Sequence, residues 1–143
     1  MDLFNRDNIN NEELQIVREV IILSQTFYYE YRGIIKNKII YLYEKLKSKK
    51  IFQSNEFWKK YLEYHINEEI NKKNKEQNNK LTEEQIQNLI TNFAYSPMVN
   101  IVLNMKKIGL KKSQIKIFIH DSFEKYNIPE NYKKMVNSVI KSK

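Results

Sequence analysis

Only two glycines, Gly33 and Gly109, and two prolines, Pro97 and Pro129, punctuate the 143 residues of this chain. Glycine supplies positive φ and proline presets φ, so chains with many tight turns use both freely. Their scarcity predicts long helices and few hairpins. At 143 residues the length fits one domain that can bury one core without staples. The expected architecture is an all-α, single-domain bundle of about six helices. Residues 1–10 read as a flexible N-terminal arm, and residues 11–143 as one helical domain with a polar loop at 71–81.

The first helix is expected from a cap at Asn10 or Asn11, with Glu12 and Glu13 at its positive end. Its stripe is Leu14, Val17, Val20, Ile21, Phe27, Tyr28 and Tyr31, widened by Ile16, Ile22 and Leu23. A helix apolar over so wide a face is expected to be central and to end near Gly33. The second is expected over Ile35–Ser48, burying Ile35, Ile39, Leu42, Tyr43 and Leu46. Ser54 is placed to cap a third, which buries Phe57, Trp58, Tyr61, Leu62, His65, Ile66 and Ile70. The run NKKNKEQNNK, residues 71–80, has nothing to bury and reads as a solvated loop or frayed helix end.

Thr82 and Gln85 form a capping box for the fourth helix, with Ile86, Leu89, Ile90, Phe93 and Ala94 inward. Pro97 either interrupts that helix or opens a new one. The stripe resumes at Met98, Ile101, Val102 and Met105, with Gly109 as C-terminal cap. Ile115, Phe118, Ile119 and Phe123 mark the fifth helix. Tyr132, Met135, Val136, Val139 and Ile140 mark the sixth, opened by Pro129. No stretch alternates convincingly as a strand.

No catalytic constellation is visible. The histidines are His65 and His120, too few for a zinc site of three or four ligands at known spacing. His65 falls on an apolar stripe, as a core histidine would. His120 and Asp121 are sequence neighbours, which diverge on a helix by about 100°. Glu83 and Glu84 answer a helix dipole, and Glu68 and Glu69 pair only in sequence. With two glycines there is no phosphate loop. No catalytic residue, cofactor-binding residue, metal ligand or cofactor is assigned, and the expectation is a non-enzyme.

Cysteine is absent, which suits a reducing interior, and the expected location is cytoplasmic. The acidic N-terminus does not read as a signal peptide, and no apolar run approaches the roughly 20 residues of a transmembrane segment. The formal charge is +8. Residues 1–30 carry a net −4, residues 31–80 a net +7 and residues 81–143 a net +5. A basic body attracts polyanions. Yet arginine, the residue suited to bidentate phosphate and guanine contacts, occurs only as Arg6, Arg18 and Arg32. Nucleic acid or anionic lipid is therefore the second reading.

The segments KIIYLYEKLK, residues 38–47, and IFQSNEFW, residues 51–58, carry a resemblance. Tyr41, Leu42 and Tyr43 match a Y-L-Y helix, and Phe57 and Trp58 match an aromatic pair opening the next one. Ile66 and Glu69 match part of a D-A-V…E-R segment, and IVLNMKKIGL, Ile101 to Leu110, matches a second block that includes Gly109. Across residues 34–140 the chain resembles a helical accessory domain of DENN-type Rab exchange factors of the MAP-kinase-activating death-domain kind. The same domain occurs in the set-binding-factor myotubularin pseudophosphatases. Tyr64, His65 and Ile70 stand where that family has aspartate, alanine and arginine. The resemblance implies a protein-interaction or adaptor module linked to Rab-regulated membrane trafficking or signalling, with a Rab GTPase or Rab regulator as partner. It does not imply exchange activity. The expected interaction surface is Lys45, Lys59, Lys60, Tyr64, Lys106, Lys107, Lys111 and Lys112, with peripheral membrane contact through the basic rim. The family-motif core is Tyr41, Leu42, Tyr43, Phe57, Trp58, Ile66, Glu69, Gly109 and Leu110.

Overall fold

Helix α1, Asn11–Thr26, opens on a reciprocal cap. The Glu13 N–H donates to Asn10 Oδ1 at 2.9 Å and the Asn10 N–H to Glu13 Oε2 at 3.0 Å. The computed structural model describes residues 3–6, 9–32 and 37–141. Within them the chain is an all-α bundle around one core, with a single two-stranded hairpin at its edge. Six further helices follow α1: α2 (Tyr43–Leu46), α3 (Asn55–Gln77), α4 (Glu83–Phe93), α5 (Tyr95–Ile108), α6 (Lys112–Tyr126) and α7 (Glu130–Lys141).

The hairpin is the main departure from the sequence reading. Strand β1, Tyr28–Arg32, pairs antiparallel with β2, Asn37–Tyr41, in the register Tyr28↔Tyr41 and Glu30↔Ile39. The first helix stops at Thr26 and does not run on to Gly33. Phe27 is extended, and its N–H donates to Leu23 O. The expected second helix keeps only its last turn, Tyr43–Leu46. Clustered aromatic and β-branched residues favour the pleated backbone here over the helix. The expected burial fails with the helix: Ile39 is 53% exposed and Leu42 40%, while Leu46 is buried. Gly33 and Ile35 lie outside the described residues.

Helix α1 is peripheral and not central. It buries Leu14, Val17, Ile21 and Ser24, while Ile16, Ile22 and Leu23 are each about half exposed. The centre is α5, which packs against α2, α3, α4, α6 and α7. It buries Pro97, Met98, Ile101, Val102, Met105 and Ile108. Pro97 sits in the first turn of α5, where its missing N–H costs nothing. Ala94, fully buried, joins α4 to α5 in helical conformation. The α4 side chains Ile86, Leu89, Ile90 and Phe93 are only half-buried.

Helix α3 delivers the aromatic centre expected of it. Phe57, Trp58, Tyr61, Leu62 and Ile66 are buried, and His65 and Ile70 are half-buried. Trp58 Nε1 donates to Phe52 O at 2.9 Å, and the Trp58 ring lies 4.8 Å from Phe57 and 6.2 Å from Phe52. Ser54 occupies the cap position without a side-chain cap bond. Of the two readings of residues 71–80, solvated loop or helix end, residues 71–77 take the second and continue α3 to Gln77. The Lys73–Glu76 pair bridges one turn, and Asn74 Oδ1 accepts the Leu81 N–H at 2.7 Å. Asn78 then ends the helix at φ 53°.

The N-terminal segment also touches the core. Leu3–Asn5 form a 3-10 turn, Phe4 packs on Phe52 at 5.8 Å, and Ile9 is buried. Thr82 and Gln85 make the expected box, at 3.3 and 2.9 Å. On α6, Ile115, Phe118, Ile119 and Phe123 are buried; on α7, Val136 and Ile140 are buried, but Met135 is 48% exposed.

Gly109 closes α5 at φ +93°, its N–H shared between Met105 O and Lys106 O. A Cβ there would meet nothing within 4 Å. Gly109→Ala is therefore expected to cost about 1–2 kcal/mol through left-handed backbone strain alone. Urea unfolding reads this directly. A loss well above that range would mean a steric conflict that the open surroundings of Gly109 do not contain.

Candidate interaction surface

Hairpin geometry puts Tyr28, Glu30, Ile39 and Tyr41 on one face, because paired residues two apart share a side. That face is turned to solvent. Tyr28 is 53% exposed and Tyr41 40%. Their rings meet edge to face at 5.7 Å, and Tyr41 stacks on Tyr43 at 6.0 Å. Phe27 and Leu42 flank the hairpin, joined by a Leu42 N–H to Phe27 O bond of 3.1 Å. The last turns of α1 add Ile22 and Leu23. Single exposed apolar side chains are ordinary, but here several cluster along one edge of the bundle. The clue in the sequence was the excess width of the α1 stripe, more apolar surface than one helix face can bury. Phe27, Tyr28 and Ile39 were expected inside.

The cationic residues expected to form the surface do not share a face. Lys45 is exposed on α2 near the hairpin, and Lys47 lies 5.5 Å over the Tyr43 ring. Lys59 bridges Glu56 and Asp121, at 3.0 and 2.9 Å, tying α3 to α6. Those carboxylates raise its pKa. Lys60 and Tyr64 are half-buried along α3, and the Tyr64 hydroxyl donates to Glu68 at 3.1 Å. Lys106 Nζ donates to Val139 O at 2.8 Å, which secures α7 on α5. Lys107 reaches Gln25 at 3.3 Å. Lys111 and Lys112 are exposed at the start of α6.

The motif residues divide in the same way. Phe57, Trp58, Ile66 and Leu110 are core, Gly109 is a cap and Glu69 is half-buried. Tyr41 and Leu42 are exposed, and Tyr43 is half-buried, so they are not core.

A second concavity, about 530 Å³, runs between α1, α3 and α5. Ile22 and Leu103 line it, and Gln25 Nε2 donates across it to Asn104 Oδ1 at 2.6 Å. Arg18, paired with Glu68 at 2.9 Å, and His65, whose ring meets Tyr61 edge to face at 4.9 Å, close one end. Burial holds the His65 imidazole below its usual range, and the Arg18 cation adds to that. The folded chain therefore resists the proton that the unfolded chain accepts near pH 6.5. The contribution is intact above that pH and is lost as pH falls towards the folded value. The urea midpoint should drop on acidification through this window, and His65→Gln should flatten the drop. An unchanged slope in the variant would refute this role.

Among the described residues no group of three or more His, Asp or Glu gathers as metal ligands would. His120 and Asp121 face apart, Asp121 to Lys59 and His120 to a groove between α6 and α7. No described helix is long and apolar enough to cross a membrane. The fold and surface define a small helical bundle with an exposed aromatic hairpin. No family model, curated protein or solved structure matches the chain.

Proposed function

We propose that the chain is a non-enzymatic protein-interaction module that docks a partner on its aromatic hairpin and the adjoining end of α1. The observation that carries this reading is the solvent-facing cluster of Tyr28, Tyr41, Ile39, Phe27 and Leu42. Tyrosines with large contact area and two side-chain torsions are efficient anchors. Lys45 and Lys47 at the same edge bias encounter towards acidic partners. Two of the three residues that carry the Y-L-Y resemblance, Tyr41 and Leu42, stand in this exposed cluster. The resemblance is to a Y-L-Y helix, whereas Tyr41 here ends strand β2 and only Tyr43 is helical, so Rab GTPases and their regulators rest on the sequence resemblance and are the partners to try first.

The test is titration of the purified chain against a panel of Rab GTPases, each in its GDP and GTP forms, at physiological salt. Saturable binding by one or more Rabs, weakened by serine at Tyr28 and Tyr41, supports the reading. Binding that survives those substitutions overturns the hairpin as the docking site. A panel with no binder overturns the Rab assignment.

A further inference from the structure

Helices α6 and α7 build a second site, independent of the hairpin. Lys112, Lys116 and His120 recur every fourth residue on α6, and Lys133, Asn137 and Lys141 do so on α7. The three-residue turn 127–129 reverses the chain, so the two rows face each other across a groove of about 560 Å³. Its floor is Ile119 and Ile140, only 1% and 4% exposed. Each row extends about 12 Å, and the helix axes of such a pair lie about 9 Å apart.

Several lysines elsewhere are answered by carboxylates, as in Lys47–Glu44, Lys59–Asp121, Lys73–Glu76 and Lys125–Glu63. In this groove only Lys133 has one, Glu130 at 3.7 Å. Lys112, Lys116 and Lys141 have no ion-pair partner among the described residues. The sequence has no Asp or Glu from Lys111 to His120 or from Asn131 to Lys143. Four ammonium groups are thus carried by two packed helices around one recess.

We propose that this groove binds a compact, multiply phosphorylated small molecule of the inositol polyphosphate class. The volume falls within the range of roughly 300–1,000 Å³ usual for small-molecule sites. Lysine is a point charge that meets phosphate oxygens from any direction, and the groove has no arginine fork for planar carboxylates. It has no Phe, Tyr or Trp ring on which a base could stack, and its floor isoleucines are buried, which leaves little apolar surface to anchor a peptide.

The test is calorimetric titration of the intact chain with inositol hexakisphosphate at about 0.15 M salt, where the Debye length is about 8 Å. One-to-one binding is expected. Lys116→Gln with Lys141→Gln should weaken it at least about tenfold. Lys72→Gln with Lys75→Gln, on the far end of α3, should leave it unchanged. All four positions are exposed, and unchanged thermal midpoints verify that the variants fold. Vesicles bearing a multiply phosphorylated inositol lipid separate the two sources of the same chemistry: capture by them assigns the headgroup, and its absence assigns the free compound. No binding, equal loss in the two double variants, or equal affinity for polyglutamate or a short RNA would overturn the proposal.

Discussion

Trp58→Ala is expected to cost about 4 kcal/mol, the largest single-site loss of stability in this chain. Trp58 is fully buried beneath Phe52, Phe57 and Tyr61. Truncation removes the transfer free energy of the indole and leaves a cavity at the junction of α3 with the 3-10 turn Lys50–Gln53. It also removes the donor to Phe52 O and so leaves a buried carbonyl unpaired. A domain is stable by about 5–15 kcal/mol, so the loss removes between about a quarter and four fifths of the total. Trp58→Phe separates the two causes. It keeps a ring in the site and loses the hydrogen bond, and should cost about 2 kcal/mol. Because Trp58 is the only tryptophan, both losses must be read by far-ultraviolet circular dichroism in urea and not by fluorescence. A cost for Trp58→Ala below about 1.5 kcal/mol would mean that the site collapses around the missing ring and that the centre of the core lies elsewhere.

The sequence was legible where a local signal and a long-range need agreed. The Thr82–Gln85 box, the positive φ of Gly109 and the turn before Pro129 are local chemistry, and each element boundary falls beside them. The 3.6-residue periodicity of α3, α5 and α6 picks out side chains that are in fact buried, among them Trp58, Met105 and Phe118. Between Phe27 and Leu42 the two failed to agree. A hairpin with one polar face announces itself by alternation. Here YYEYR and NKIIY place apolar residues on both faces, so no period of two emerges and a helical stripe can be drawn through the same letters. Polarity left two readings open at the other end of α3, a loop or a helix end. Residues 71–77 bury little, yet they remain helical because the helix is already nucleated by its packed first half, and propagation needs one bond per residue. The proposed surface was illegible for a related reason: lysine spacing says where charge lies along the chain, but not that Lys59 and Lys106 are committed to joining helices.

Replacing Tyr28, Tyr41 and Leu42 together by serine should abolish partner binding while leaving the bundle folded. The binding side of this expectation follows from anchor energetics. Truncating a central aromatic anchor costs 2 kcal/mol or more, so the triple variant should lose on the order of a thousandfold in affinity. The folding side follows from exposure. The three side chains are 40–53% exposed in the free chain, so little apolar burial is given up. The Tyr28–Tyr41 ring contact contributes about 0.5–1.5 kcal/mol, and the backbone pairing of the hairpin does not depend on it. The thermal midpoint should therefore fall by only a few degrees, well short of the fall expected for Trp58→Ala. The same variant should be more soluble at high concentration, since an exposed aromatic edge strand is a self-association hazard that serine relieves. A variant that unfolds would show that the hairpin is a structural brace of α1 and α2. A variant that folds and binds as before would move the docking surface to the groove between α1 and α5, where Ile22 and Leu103 would be the next residues to replace.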